Sequence, residues 1–310
     1  MRRLALISIL LTGAALPAEA GSGAARTGLP GERLVLGLHP PERIAVLDLA
    51  TGAVEQRPLP GGTLCHGPLM AGGRRPLSVR PAAPGTQYLR SARPGAFWAL
   101  RLRFGRVRAT TTRVRELAAD GRTLFRPRRR PPPGYPEAAV RDGIVFEDHG
   151  RRRVWNPHSG SVRRAGGDWL VAASMDGSVW CDGPCRRLRI HMTGRAVALA
   201  PPGSSFLRGG GRLSPDGSLL AVALQARAGV RIALVDTARG SLDLLRIPAA
   251  GRGALAWSTT GEWLYAAATG RRVAAHRPRD GTTVMLPLRL RGEVLDMLVT
   301  RSTSPRSAGS

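Results

Sequence analysis

Short apolar runs joined by polar, glycine-containing turns recur along the chain. Residues 214–222 (SPDGSLLAV) combine a tight turn with an apolar strand, and residues 258–266 repeat this arrangement 44 positions later. Hairpins of one type, an apolar run, a polar turn and an apolar return, occupy residues 44–54, 154–162 and 232–242, with a weaker copy at 273–284. Short strands that recur at intervals of about 40 to 50 residues are typical of a β-propeller, so the pattern predicts an all-β fold.

The turn glycines predict the number of blades. They lie at Gly52, Gly121, Gly160, Gly194, Gly240 and Gly281, where glycine supplies the positive φ that such hairpins need. Six turns predict six blades in a single propeller over residues 33–300. Residues 61–90 interrupt the pattern, and a degenerate blade hidden there would make seven. Because a closed ring pairs distant strands, residues 34–38 are expected to pair near residues 294–300.

Residues 214–222 and 257–266 resemble the WSPDG-type repeats of TolB-like bacterial propellers. The hairpin turn from Asp236 to Gly240 is similar to the D-x-x-T-G turn of such blades. The resemblance implies a protein-binding or scaffolding role outside the cytoplasm, and it implies no catalytic residue.

The first twenty residues predict export. Arg2 and Arg3 precede a short apolar run, and Ala18-Glu19-Ala20 has the small residues of a signal peptidase site. We therefore expect a signal peptide over residues 1–20, a flexible leader over 21–32 and a disordered tail over 301–310. The apolar run is too short for an ordinary membrane span. The expected location is secreted or extracytoplasmic, in the periplasm or cell envelope.

Charge points to an anionic partner. The net charge is +26, all 47 basic residues are arginine, and removal of the signal peptide leaves +25. Codon bias is one explanation of the arginines; selection for bidentate contacts to anions is the other. Two runs, both expected in segments that project from the blades, are candidate polyanion contacts: Arg128, Arg129, Arg130 and Arg151, Arg152, Arg153. Export excludes chromosomal nucleic acid as the partner.

Three cysteines belong to the mature chain. Cys181 and Cys185 flank a Gly-Pro turn that brings them close enough for a disulfide, which leaves Cys65 as the odd thiol. Metal binding, a redox role and free thiols are the alternatives. The six histidines are scattered, so no metal or cofactor site is predicted.

Two functions are compatible with this pattern. The first is a secreted, non-enzymatic propeller, expected to be a monomer, that binds a protein or an anionic envelope polymer. The second is an extracytoplasmic hydrolase or lyase with its site in the central channel. An enzyme needs acids, bases or metal ligands from several blades that converge on the channel, whereas a binding protein needs only an exposed surface.

We predict that the protein is exported and cleaved after Ala20, because a charged start, an apolar run and an Ala-x-Ala site occur together. Mass spectrometry of the secreted and envelope fractions should identify Gly21 as the first residue. Recovery of an intact chain beginning at Met1 from the cytoplasm would contradict this prediction.

Overall fold

The computed structural model describes residues 29, 31–39, 43–58, 71–72, 75–76, 86–91, 93, 96–104, 109–118, 121–174, 176–192, 194–208, 210–249, 254–286 and 288–301. Within these residues the structure is all-β, as predicted, and six small antiparallel sheets form the blades of one propeller. No helix in the described part has the length and hydropathy that a membrane crossing requires.

The strands follow one another blade by blade. Blade 1 contains β1 (Glu32–His39), β2 (Arg43–Asp48), β3 (Val54–Pro58) and, from the other end of the chain, β27 (Glu293–Arg301). A two-stranded hairpin follows, formed by β4 (Ala71–Gly72) and β5 (Arg75–Pro76). Blade 2 contains β6 (Thr86–Arg90), β7 (Ala96–Phe104), β8 (Ala109–Ala118) and β9 (Thr123–Phe125). Blade 3 contains β10 (Tyr135–Val140), β11 (Gly143–Asp148), β12 (Arg151–Trp155) and β13 (Val162–Arg164).

The second half continues in the same order. Blade 4 contains β14 (Trp169–Ala173), β15 (Ser178–Cys181), β16 (Arg187–His191) and β17 (Arg195–Leu199). Blade 5 contains β18 (Ser204–Phe206), β19 (Arg212–Leu213), β20 (Leu219–Ala226), β21 (Gly229–Asp236) and β22 (Leu242–Leu244). Blade 6 contains β23 (Leu255–Trp257), β24 (Leu264–Ala268), β25 (Arg272–His276) and β26 (Thr283–Met285). Residues 61–90, which raised the possibility of a seventh blade, contain among their described residues the hairpin β4–β5 and β6, the first strand of blade 2.

The two ends of the chain close the ring in blade 1. Strand β27 pairs antiparallel with β1, with Leu34 opposite Val299 and Leu38 opposite Val294. This is the closure expected from the sequence. One strand of each blade contacts the next in the order β6, β10, β14, β19, β23 and β27, so these strands lie closest to the axis. Strand β27 is therefore the innermost strand of blade 1, although it is the last strand of the chain.

Glu32 ties this closure to blade 6. The carboxylate of Glu32 is buried and accepts hydrogen bonds from the backbone N–H of Thr259, at 2.7 Å, and from the Thr259 hydroxyl. The buried Tyr265 lies on the same side, and its pKa is raised because burial and the Glu32 charge both oppose loss of its proton. Glu32 thus joins the first strand of the propeller to the turn between β23 and β24 of blade 6.

The two repeated turns have the same hydrogen-bond pattern. In one copy the Ser214 hydroxyl accepts from the Leu219 N–H at 3.0 Å, and in the other the Ser258 hydroxyl accepts from the Trp263 N–H at 3.0 Å. Gly217 and Gly261 have φ values of 73° and 80°, which a side chain would disfavour. In the first copy the Ser214 hydroxyl also donates to Asp216 and, with Ser218, holds the Asp216 pKa below its usual range.

Five of the six predicted turn glycines have positive φ: Gly52, Gly121, Gly160, Gly240 and Gly281. Gly194 does not, so the expectation was wrong there. It precedes β17 and its carbonyl accepts from the Met192 N–H at 3.1 Å, which closes the turn without a left-handed residue at this position.

The core lies between neighbouring blades. Leu36, Leu47 and Met297 of blade 1 share an apolar cluster with residues of blade 6, and similar clusters join blades 2 and 3, 3 and 4, 4 and 5, and 5 and 6. Five tryptophans are buried in or beside these strands, as expected for packing residues: Trp98, Trp155, Trp180, Trp257 and Trp263. Each such side chain contributes on the order of 1.5–3 kcal/mol by leaving water.

We predict that Glu32→Ala destabilises the propeller by about 1–3 kcal/mol, because it removes the acceptor of the partly buried Thr259 N–H. The measurement is chemical unfolding monitored by tryptophan fluorescence. Glu55→Ala, on the exposed strand β3, removes the same charge without that contact and serves as the control. Equal stability of the two variants would show that the Glu32 contact does not support closure.

Candidate anion-binding surface

The first arginine run lies in the connection from blade 2 to blade 3. Arg128, Arg129 and Arg130 follow β9 and are exposed, and the flanking Pro127 and Pro131 prevent a regular strand. The Arg129 stem packs against the turn at Gly160, so part of this side chain supports the contact between blades 2 and 3. Among the described residues, no carboxylate forms an ion pair with any arginine of this run.

A cleft of about 240 Å³ separates this connection from β8. Its walls are Thr112, Arg113, Val114 and Arg115 on one side and residues 126–131 on the other, and we call it the blade 2 cleft. Six of the lining residues are arginines and none is acidic. Guanidinium groups present several donors in a rigid fork, so the cleft offers sites for carboxylate or phosphate oxygens.

The second run lies in a strand. Arg151, Arg152 and Arg153 were predicted to lie in a segment that projects from the blade. In the structure they begin β12, directly after a tight turn at His149 and Gly150. Both turn residues have positive φ, as in the two-residue turns that join hairpin strands without a loop. The segment therefore does not project from the blade.

The arginines of this run have different surroundings. Arg152 is almost buried and makes a bidentate pair with Glu137, with distances of 2.7 and 2.9 Å. Arg153 donates to Asp148 at 3.1 Å and keeps part of its side chain exposed. Arg151 is exposed. We therefore leave Arg152 out of the candidate surface, because its guanidinium already has an internal partner.

Trp169 explains the position of Arg152. The Arg152 guanidinium lies 3.5 Å from the centre of the Trp169 ring, and the Arg208 guanidinium lies 3.9 Å from the same ring. Arg208 also donates to the Gly183 carbonyl at 2.8 Å. One indole thus joins arginines from blade 3 and from the end of β18. The sequence did not indicate this contact, since the three residues are distant along the chain.

A second cleft, of about 820 Å³, lies between blades 3 and 4. Six of its twelve lining residues are arginines, including Arg151, Arg163, Arg164 and Arg189, and Asp168 is the one acid in its lining; we call it the blade 3–4 cleft. Arg163 is paired with Asp142 at 3.0 Å. The neighbouring His191 has a lowered pKa, because burial and the charges of Arg195, Arg189 and Arg163 oppose its protonation. The pKa of His191 is lowered mainly by burial and further by these arginine charges.

An enzyme with this fold would have its site in the central channel. Between the innermost strands β19 and β27, Arg212 and Asp296 form an ion pair at 3.2 Å. Within the described ranges, no three residues of the histidine, cysteine, aspartate and glutamate types come together in a way that would hold a metal ion.

Cys181 and Cys185 form a disulfide in this structure, with Cα atoms 4.9 Å apart. Both are buried, and they belong to the apolar cluster between blades 4 and 5. The Cys185 N–H donates to the Asp182 carbonyl at 2.9 Å, which closes the turn between the two cysteines. Cys65 lies outside the described residues, as do the predicted signal peptide and the last nine residues of the chain.

Comparisons with known proteins identify the fold. No family model matches the chain, and the search of curated proteins finds no match. Among solved structures, AztD from Citrobacter koseri superposes with a TM-score of 0.50 at 9% identity, over 87% of this chain and 97% of AztD. TolB from Acinetobacter baumannii has a TM-score of 0.47 at 15% identity, over 88% of this chain and 68% of TolB.

A Bacteroides fragilis protein assigned as a 6-phosphogluconolactonase has a TM-score of 0.48 at 13% identity, over 88% of this chain and 99% of that protein. At such identities a structural likeness speaks for the fold alone. Membership of the WSPDG-repeat family therefore stays a prediction, and function has to be inferred from the surface.

We predict that replacing both cysteines, in a Cys181→Ala/Cys185→Ala variant, costs about 2 kcal/mol, the chain-entropy value for so short a loop. The measurement is the free energy of unfolding, in a Cys65→Ser background that removes the odd thiol. Without reductant, a thiol reagent should leave Cys181 and Cys185 of the parent protein unlabelled. Labelling of the native parent, or an unchanged free energy of unfolding, would contradict a structural disulfide.

Proposed function

We propose that this protein is an extracytoplasmic, non-enzymatic β-propeller that binds an anionic macromolecule of the cell envelope, a protein or a polymer, through arginines of blades 2 to 4. One observation carries the proposal. Two clefts on neighbouring blades are lined by arginines, and a single acid, Asp168, contributes to their lining.

The balance of charge supports this assignment. The chain has 47 arginines and 21 acids, so many guanidinium groups have no internal counterion. Acids pair with Arg152, Arg153 and Arg163, and of these three arginines Arg152 alone is almost buried. Arg126, Arg128 and Arg130 remain exposed and without an ion pair among the described residues. A concentration of one charge in two clefts raises the local concentration of anions and their rate of association.

The shape of the surface favours a macromolecule over a small ligand. Small-molecule sites are mostly apolar, enclose their ligand and contain few polar groups. Here the linings are more polar than apolar, and five of the six arginines at the blade 2 cleft have exposed side chains. A partner with repeated negative charges can contact several arginines at once, which compensates for the small contribution of each exposed ion pair. The disulfide and the predicted signal peptide support a partner outside the cytoplasm.

We predict that the protein binds poly-L-glutamate at low ionic strength and that binding weakens steeply when salt shortens the screening length, which is about 10 Å at 0.1 M. Replacing Arg126, Arg128 and Arg130 by serine should weaken binding about tenfold, since each exposed charge contributes on the order of 0.2–1 kcal/mol. This triple variant spares Arg129, whose stem packs on the Gly160 turn. Isothermal titration calorimetry measures both effects.

The matched control is Arg231→Ser/Arg239→Ser/Arg246→Ser, which removes three exposed charges from blade 5. It should retain most of the affinity, because these residues lie outside both clefts. Polyphosphate and vesicles that contain phosphatidylglycerol test the other anionic partners. Salt-independent binding, an equal loss in both triple variants, or no binding to any of these probes would refute the proposal.

A further inference from the structure

The outer edge of blade 2 is open. Strand β8 extends from Ala109 to Ala118, but β9 pairs only with Glu116 and Leu117. Residues 126–131 then run beside β8 and, in the part of the chain described here, make no backbone hydrogen bond to it. In an antiparallel strand, every second residue directs its N–H and C=O away from the inner neighbour. Among the residues that the structure describes, about seven residues of β8 therefore present an edge without a strand partner.

The sequence explains why the fourth strand is so short. Pro127 and Pro131 have no N–H to donate, and the two further prolines after Pro131 fix φ, so the chain cannot continue β9 along β8. Blade 4 shows the contrast, since β17 pairs with β16 along its whole length from Arg187 to His191. An open strand edge is a template for pairing with another chain, and proteins normally cover it.

Arginines occupy alternate positions along this edge, as expected for residues on one face of a strand. Arg113 and Arg115 lie on one face of β8, and Arg101 of β7 stands directly opposite Arg113. Like charges in opposite positions destabilise a sheet, so an added anion would relieve this repulsion. Across the blade 2 cleft, Arg126, Arg128 and Arg130 alternate in the same way. Between residues 56 and 136, the sequence has 17 arginines and two acids.

We propose that an extended acidic segment of a protein partner adds as a strand to the edge of β8 between residues 109 and 115. Its backbone pairs with the free N–H and C=O groups of β8, and acidic side chains at every second position face Arg113, Arg115 and Arg101. This inference rests on the proposed function and narrows it, because it makes the partner a peptide and assigns the contact to one edge. Strand addition of this kind takes affinity from the main chain and specificity from alternate side chains.

The backbone favours a peptide over other anions. A strand edge presents donors and acceptors in alternation, and a peptide supplies both, whereas a phosphodiester polymer offers acceptors only. A second copy of this chain would bring arginines against arginines. The terminal segments of the chain are unsuitable, since residues 1–28 contain Glu19 as their only acid and residues 302–310 contain none. The edge therefore fits an acidic segment of another protein.

The decisive experiment compares peptides of equal charge. A peptide of alternating glutamate and threonine should bind more tightly than one of the same composition with its glutamates in one block. N-methylation at every second residue removes the donors of one edge of the peptide. Two peptides are compared, one methylated at the odd positions and the other at the even positions. We expect one of these two patterns to weaken binding by about tenfold or more and the other to leave it nearly unchanged, because a strand pairs through one edge at a time.

Hydrogen exchange locates the contact on the protein. The alternating peptide should slow amide exchange in residues 109–118, and the edge strand β17 of blade 4 serves as the internal reference. Arg113→Ser/Arg115→Ser should abolish this protection, while Arg231→Ser/Arg272→Ser, with the same charge change on blades 5 and 6, should keep it.

The outcomes separate this inference from the proposed function. If both methylated peptides and the block peptide bind as well as the alternating peptide, with salt dependence retained, the anion-binding function stands and strand addition is refuted. If protection appears at another edge, the assignment to β8 is refuted. If no acidic peptide binds while polyphosphate or anionic vesicles do, the partner is not a peptide. If no anion binds, both proposals fail, and the arginines act only to prevent edge-to-edge association.

Discussion

Closure of the ring by β27 and β1 is the constraint on which the rest of this structure depends. Apolar clusters join blade 1 to blade 6 and each successive pair of blades from 2 to 6, so an open ring would expose apolar surface at its ends. The last strand of the chain removes those ends when it enters blade 1 as the innermost strand. The pairing joins residues between 254 and 269 positions apart, and it forms only after the loop-closure entropy of nearly the whole chain has been lost. The buried Glu32 contact at this seam adds directional hydrogen bonds where apolar packing alone would not fix the register.

A closed ring determines which strand edges remain available. The innermost strands are enclosed by their neighbours around the axis, while the outermost strands face solvent in every blade. The outer strands have three to five residues each, and β3, β13 and β17 carry arginine, which discourages unwanted pairing. Blade 2 leaves the longest uncovered stretch among the described strands, because its prolines end β9 after three residues and β9 pairs with only two residues of the ten-residue β8. Local sequence in a connection thus decides where a uniform architecture acquires a distinct surface.

More of the fold than of the surface could be predicted from the sequence. The hairpins depend on residues a few positions apart, whereas the charge of the surface depends on contacts between residues far apart in the chain. Turn residues such as Gly217 and Gly240 act within a few positions, so their pattern is visible in the sequence and the hairpins follow from it. The disulfide between Cys181 and Cys185 is equally local. Gly194 shows the limit, since the residues around a turn can close it without a left-handed glycine. Arg152 shows a wider limit, because its partners Glu137 and Trp169 lie in other strands and the run of three arginines looks uniform in sequence.

The arginines of this chain differ in their contacts, although they look alike in the sequence. A composition of 47 arginines and no lysine suggests one cause for all of them, whether codon usage or selection. In the structure these arginines have different roles. Arg152 pairs with a carboxylate and stacks on an indole, and the aliphatic part of Arg129 packs against a turn. Arg113 lies opposite another arginine in the neighbouring strand. Codon usage is one explanation of arginine over lysine at these positions, but it does not explain why arginines with no ion pair among the described residues gather in a cleft beside β8. Electrostatic repulsion acts against that arrangement, and the anion that we propose as the ligand would offset it.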